Sequence, residues 1–409
     1  MIRVLLAVVI LAVMAGCSEN SEETLDSSEQ PQVSPFSNKN TYVGHSENRY
    51  FEGVGGLPSG LTRYEFTRPE DGIKWIVAAD SSSEGTIWGF VREDGTSSRF
   101  HLIDREISKV GSTSPLENHS FLPQIVEVES DGIELAINAV INPVDLTLAA
   151  ALSKIENVPD ASSVIQNSGL LYSYSDPTER YPHGALGDNI EWGSLVIGSI
   201  DPAISEHRFS LPENEVFEGL FPLLADLNGD GLDEIVTTVS DSDNGSRVVV
   251  FSYVDDELRI IAESAPVGTG FRWLHQIAVA PFGSDGEIEL AVVETPHVGG
   301  IAKFYRLDNG RMELVASNAG GYMSHVNGSR NLDQAVAGDF DGDGNVELLV
   351  PSRDQKSLIA LRRVGDSVEE VWQVELGARL SSNLTVTQTA DSGLILGAAI
   401  EGAKLNIWQ

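Results

Sequence analysis

The chain has 409 residues, with 26 basic and 61 acidic side chains for a formal net charge of −35 at pH 7. A surface so acidic repels nucleic-acid phosphates and anionic headgroups, which excludes both as partners, and it suits a protein that collects divalent cations. The length is too great for one ordinary core, so the chain is either several domains or a repeat architecture.

The chain opens Met1-Ile2-Arg3 and then runs apolar from Val4 to Ala15. That run is too short to cross a bilayer as a helix, which needs about 20 residues. One positive charge, a short apolar core and small residues before a cut site describe a signal peptide, residues 1–16. The site Val13-Met14-Ala15-Gly16-Cys17 resembles the lipobox of bacterial lipoproteins, with Met14 where leucine is usual. The resemblance implies a lipidated Cys17 and, through Ser18, sorting to the outer membrane of a Gram-negative host. Cys17 is the only cysteine, so no internal disulfide is possible. From Cys17 to residue 45 almost no apolar side chain offsets the entropy of ordering, and this stretch reads as a flexible tether.

Residues 46–409 repeat. Leu224-Ala225-Asp226-Leu227-Asn228-Gly229-Asp230-Gly231-Leu232-Asp233-Glu234-Ile235-Val236 matches Ala337-Gly338-Asp339-Phe340-Asp341-Gly342-Asp343-Gly344-Asn345-Val346-Glu347-Leu348-Leu349. A decayed copy runs from Val279 to Ala291 between them, which sets a period in the mid-fifties. Alternating hairpins recur in step, as in Arg247–Ile260, Ala302–Leu314 and Leu358–Val371, with Asp, Asn or Gly at each turn. Each unit therefore holds four strands, with the Asp-rich loop between the first and second. Such units describe β-propeller blades and fit the 46–409 segment about 6.6 times, so an all-β propeller of seven four-stranded blades is expected. The chain ends in a third strand, Lys404–Trp408, and a strand near Arg49–Val54 is expected to supply the missing fourth.

Alternate oxygen ligands, a glycine at the sixth position and a carboxylate at the ninth make a cage for a hard cation such as Ca²⁺. The first loop offers Asp226, Asn228, Asp230 and Glu234 with the Leu232 carbonyl. The second offers Asp339, Asp341, Asp343 and Glu347 with the Asn345 carbonyl. Without a cation such a cluster is self-repulsive. The decayed copy lacks its first two ligands, so no ion is expected there.

These loops resemble the FG-GAP and VCBS-type repeats of integrin α-chain propellers and many bacterial surface proteins. The resemblance covers residues 221–362 well and the flanks only by period. It implies structural Ca²⁺ ions that stiffen hairpins, and it says little about activity.

Strand direction alternates within a unit, so the loops holding Arg272, Trp273, His275, His297, His325 and Arg330 fall on the face opposite the Asp-rich loops; Arg180-Tyr181-Pro182-His183 echoes Arg272-Trp273-Leu274-His275, 92 positions apart and so out of step with the period, and adds His183 to the candidates. Imidazole, guanidinium and aromatic groups in an acidic protein suit an anionic or sugar-like ligand. No hydrolase elbow, zincin motif, phosphate loop or dinucleotide fingerprint is present. The expected function is a non-catalytic binding or scaffold module for a protein or glycan, held at a membrane. A lyase-like enzyme acting on acidic polysaccharides is the alternative.

Overall fold

The computed structural model describes residues 48–65, 72–81, 85–112, 124–128, 132–136, 163–165, 170–199, 205–389 and 393–409. The expected signal peptide, the lipidation candidate Cys17 and the expected tether lie outside the described residues. Among those described, every regular element is a β-strand.

The strands fall into antiparallel four-stranded meanders, numbered here in chain order. Meander I is Ile73–Ser81, Gly85–Arg92, Ser97–Ile103 and Glu106–Ser112. Meander II is Ser163–Ile165, Leu170–Thr178, Glu191–Ser199 and His207–Ser210. Meander III has a first strand in two pieces, Glu215–Phe217 and Leu223–Ala225, followed by Glu234–Asp241, Gly245–Val254 and Glu257–Glu263. Meander IV is Leu274–Ala280, Glu289–Glu294, Ile301–Asp308 and Arg311–Ser317. Meander V is Val336–Asp339, Glu347–Pro351, Ser357–Val364 and Ser367–Glu375. Meander VI is Leu380–Gln388, Leu394–Ile400 and Lys404–Trp408, completed by Leu61–Glu65. A separate hairpin, Gln124–Val128 with Gly132–Ala136, lies between I and II in the chain. Meanders II to IV are nominally one 13-stranded sheet. Their joints are single residue pairs, Trp192 with Phe217 and Glu263 with Arg311.

The side-chain period of two explains how meanders stack. Successive residues of a strand face opposite ways, so a strand apolar on both faces serves two neighbours. In Glu289–Glu294, Leu290 and Val292 join the core shared with III, while Ala291 and Val293 join the core shared with V. In Glu347–Pro351, Leu349 turns toward VI and Leu348 and Val350 toward IV. In Leu394–Ile400, Leu394, Leu396, Ala398 and Ile400 face V, and Ile395 and Ala399 face I. Shared cores thus link II–III–IV, IV–V, V–VI and VI–I. Fourth strands are different: Glu257–Glu263, Arg311–Ser317 and Ser367–Glu375 alternate with many exposed charges, the pattern of a protected sheet edge.

The closing strand differs from the expectation. Tyr50–Val54 does not complete the last meander; it lies parallel to Val336–Asp339, pairing Tyr50 with Ala337 and Phe51 with Gly338. Leu61–Glu65 is the strand that pairs with Lys404–Trp408, from Leu61 opposite Trp408 to Glu65 opposite Lys404. The exposed Arg63 and Glu65 suit an edge, whereas Asn48 to Leu57 is wedged between the first strands of IV and V. Val279 N–H donates to the Asn48 carbonyl (2.9 Å) and Leu57 N–H to the Phe340 carbonyl (2.9 Å). Arg49 is 1 % exposed there, paired with Asp333 and donating to the Ala335 carbonyl at 2.7 Å.

Candidate functional site

Two groupings of polar residues stand at opposite ends of the strands. At one end are the Asp-rich loops of III and V, which share one backbone. Gly229 and Gly342 both have φ 77°, and Gly231 and Gly344 both have φ 86°, a left-handed conformation that glycine adopts without a Cβ penalty. The hydrogen bonds repeat as well. Asp226 accepts from Gly229 and Gly231 N–H (2.7 and 2.9 Å), as Asp339 does from Gly342 and Gly344 (2.8 and 3.0 Å). Glu234 accepts from Leu227 N–H at 2.8 Å and Glu347 from Phe340 N–H at 2.9 Å. Leu232 and Asn345 donate their N–H to Asp230 and Asp343.

Asp339, Asp341, Asp343 and Glu347 each bring a carboxylate oxygen within 4.8 Å of the others, a set that could hold a metal ion. No other group of three or more His, Cys, Asp or Glu among the described residues comes so close. Burial raises the Glu347 carboxyl to about 7; the Arg362 guanidinium opposes this and Asp341 adds to it. Glu234 is raised too, by burial first and then, against the Leu227 N–H, by Asp230 and Asp226. Arg362 reaches Asp343 at 2.8 Å and Asp341 at 3.3 Å and bonds Glu347, so it offsets part of the negative charge. In the first loop, Asn228 spends its amide on Glu234 at 2.7 Å. The decayed loop is neutralised by arginine instead: Arg306 lies 2.5 Å and Arg363 3.1 Å from the fully buried Glu289.

At the other end, five of the seven ligand candidates converge. His183 comes from the loop between the second and third strands of II, and His297 from the same loop of IV. Trp273 and His275 begin the first strand of IV, and His325 lies in the connection from IV to V. Ring centroids are 5.5 Å apart for His183 and His297, 5.8 Å for His297 and His325, and 6.5 Å for His275 and His325. Trp273 sits among them, 4.9 Å from His275 and 5.2 Å from His325.

Burial sorts their chemistry. His275 and His325 are buried, and Trp273 is 1 % exposed. Burial lowers the His275 imidazole well below its usual range, with His325, Arg49 and His297 acting the same way. Burial takes His325 down to about 4 against the Ser329 carbonyl, and lowers His297, with His183 adding to the effect. Each of these shifts favours the neutral form of the imidazole. His275 Nδ1 meets Ser324 Oγ at 2.8 Å, and His325 Nε2 donates to the Ser329 carbonyl at 2.6 Å. His297 Nδ1 and His325 Nδ1 are buried without a hydrogen-bond partner.

The two arginines stand apart from this cluster. Arg272 points outward, 3.9 Å from Glu294. Arg330 pairs with Asp188 and docks the 321–331 loop onto meander II, where Gly328 N–H also donates to the Ala185 carbonyl at 2.7 Å. Two neighbours escape a reading of the sequence. Glu218, between the two pieces of the first strand of III, accepts from His183 Nδ1 and from Ser246 at 3.0 Å. Phe271, with φ 54° and 42 % exposed, stacks on His183 at 5.4 Å and 18°. Nothing in the spacing marks Glu218; Phe271 adjoins the Arg272-Trp273 pair.

No protein-family model and no curated protein sequence matches the chain.

Proposed function

We propose that this chain is an exported, lipid-anchored bacterial protein whose FG-GAP/VCBS-type β-propeller acts as a non-catalytic recognition module. Cores shared between successive meanders support a propeller, with the hairpin at 124–136 belonging to a seventh blade. The matched backbones of the two Asp-rich loops support Ca²⁺ as the ion, because hard carboxylate and carbonyl oxygens are its preferred donors. Asp226, Asn228, Asp230, Glu234 and the Leu232 carbonyl would hold one ion. Asp339, Asp341, Asp343, Glu347 and the Asn345 carbonyl would hold the other. The anchor at Cys17 rests on the lipobox alone.

One observation carries the recognition role. Loops from separate meanders converge at the end away from the acidic loops, and there Phe271 and Val298 are 42 % and 58 % exposed. An exposed aromatic stacked on an imidazole suits a protein or glycan partner. The lyase-like alternative has less support, since His275 and His325 are buried and a base with a pKa near 4 is poorly matched to neutral pH.

The test is binding of the purified protein to arrays of acidic and neutral polysaccharides and of envelope proteins. A partner retained without turnover, and lost in Phe271→Ala at unchanged melting temperature, is the expected result. Binding that ignores Phe271→Ala, or depolymerisation of a uronate polymer, would overturn the reading. Calcium is checked separately: a chelator lowers the melting temperature, removing about 2.7 kcal/mol of stability per ion when free Ca²⁺ had been at a hundredfold its Kd.

A further inference from the structure

We propose that the histidine cluster is an acid-opened latch: protons taken up by His275, His297 and His325 release the 321–331 loop from meanders II and IV. The first ground is crowding. Of the chain's eight histidines, four meet here, with ring centroids 5.5 Å apart for His183 and His297, 5.8 Å for His297 and His325, and 6.5 Å for His275 and His325. They come from separate elements, so like charges placed on them push those elements apart, and a low-dielectric interior screens the repulsion poorly. The loop that carries His325 is tied down by scattered bonds. Ser324 N–H donates to the Pro296 carbonyl at 3.3 Å, Gly328 N–H donates to the Ala185 carbonyl at 2.7 Å, and Arg330 pairs with Asp188.

The second ground is that an added proton finds no acceptor. His325 Nε2 already donates to the Ser329 carbonyl, so the proton goes to Nδ1, which is buried without a partner. His297 Nδ1 is buried and unpartnered too. A buried N–H left unpaired costs the desolvation of that group, a cost that water removes once the loop opens. Burial is the main cause that lowers all three imidazoles, and neighbouring histidines add to it. A histidine lowered on folding contributes stability that is fully present above its unfolded value of about 6.5 and is lost as pH falls toward the folded one.

Charged groups on the surrounding elements counter this only in part. From meander III, Glu218 bonds His183 and favours the charged form of His297, and the same carboxylate raises Glu191 of meander II. Tyr181 of II, 6.2 Å from His183, has its phenol raised by burial and stays neutral. Arg49, in the segment wedged between IV and V, adds positive charge beside His275 and is itself paired with Asp333. A Cβ on Gly299 would lie 3.1 Å from the Arg353 side chain of V, which places a further cation by the His297 loop. Arg272 lies 3.9 Å from Glu294. Glu191 responds to acid in the opposite sense, so overall melting sums opposing effects and the latch is read locally.

The inference does not depend on the recognition reading, because opening is measured on the protein alone. The experiment is amide exchange of the full chain, read by mass spectrometry from about pH 7.5 to about pH 5 and normalised to the intrinsic rate at each pH. Protection of residues 321–331 is expected to fall at least about thirtyfold, while Leu394–Ile400 of meander VI stays protected. His325 alone accounts for that size, since opening returns a ring held at about 4 to an ordinary value of about 6.5. His297→Gln is expected to shrink the fall by about threefold or more. His297→Arg, charged throughout, is expected to open the loop already at about pH 7.5. His297 is only partly buried, so both variants are measurable even where a change at His325 prevents folding. Protection that ignores pH, a fall undiminished in His297→Gln, or a loop as protected in His297→Arg as in the parent would overturn the proposal.

Discussion

Glu347 and Arg362 lie directly opposite one another across the second and third strands of meander V, with their side chains joined. The guanidinium also reaches Asp341 and Asp343, so it sits where it competes with any cation for three of the four clustered carboxylates. Arg362→Ser is expected to tighten Ca²⁺ binding at this loop by about tenfold or more, in keeping with the removal of a like charge within about 4 Å of the site. The same variant is less stable in chelator. Calorimetric titration and melting with and without Ca²⁺ check both outcomes.

Closure predicts a different phenotype. Arg63 Nε donates to Asn406 at 2.7 Å and its Nη2 to the Leu376 carbonyl at 2.7 Å, fastening Leu61–Glu65 onto the final meander. Arg63→Ala is expected to cost on the order of 1 kcal/mol in urea unfolding, since the residue is exposed. Amide exchange in Lys404–Trp408 is expected to rise before that in Leu394–Ile400.

Glu191 gives a pH dependence whose sign follows from burial. Desolvation, and then the Glu218 charge, raise its carboxyl well above the usual range, with the Gly219 backbone opposing, and its Oε2 is buried without a partner. A carboxyl raised on folding contributes stability that is present below its unfolded pKa of about 4.3 and is lost as pH rises through the folded value. Glu191→Gln keeps the shape and removes that loss. Its unfolding free energy, read by urea titration, is expected to match the parent near pH 4 and exceed it increasingly at higher pH, by up to about 1.4 kcal/mol per pH unit within the window.

The contact between meanders I and VI is tight enough to exclude a methyl group. A Cβ on Gly397 would lie 2.3 Å from Cζ3 of Trp88, whose ring is fully buried and stacked on Phe100. Gly397→Ala is expected to destabilise by about 1–3 kcal/mol, with Trp88→Phe recovering part of that in the double variant. Equal, additive losses in a double-mutant cycle would show the two sites to be uncoupled.

Sequence reading reached furthest where the determinants are local. The shared backbone of the Asp-rich loops is legible because Asp226 to Glu234 and Asp339 to Glu347 carry acidic side chains and glycines within nine positions, and the hairpins because their strands alternate around short turns. It failed where a distant partner decides. Arg49–Val54 read as the closing strand and Leu61–Glu65 did not stand out; that the second pairs with Lys404–Trp408 and the first with Val336–Asp339 is decided by partners far along the chain. The histidines were visible as a set, but not their burial, which comes from neighbouring meanders packing over them. Arg330 read as a ligand group; its role as a clamp is set by Asp188, 142 positions away.

The pairing of Leu61–Glu65 with Lys404–Trp408 has a consequence for biogenesis. Among the described strands, one of the earliest in the chain finds its neighbour only in the last, so meander VI stays incomplete until both are present. That pairing must be made by ends far apart in sequence, the kind of long-range contact whose loop-closure entropy slows folding.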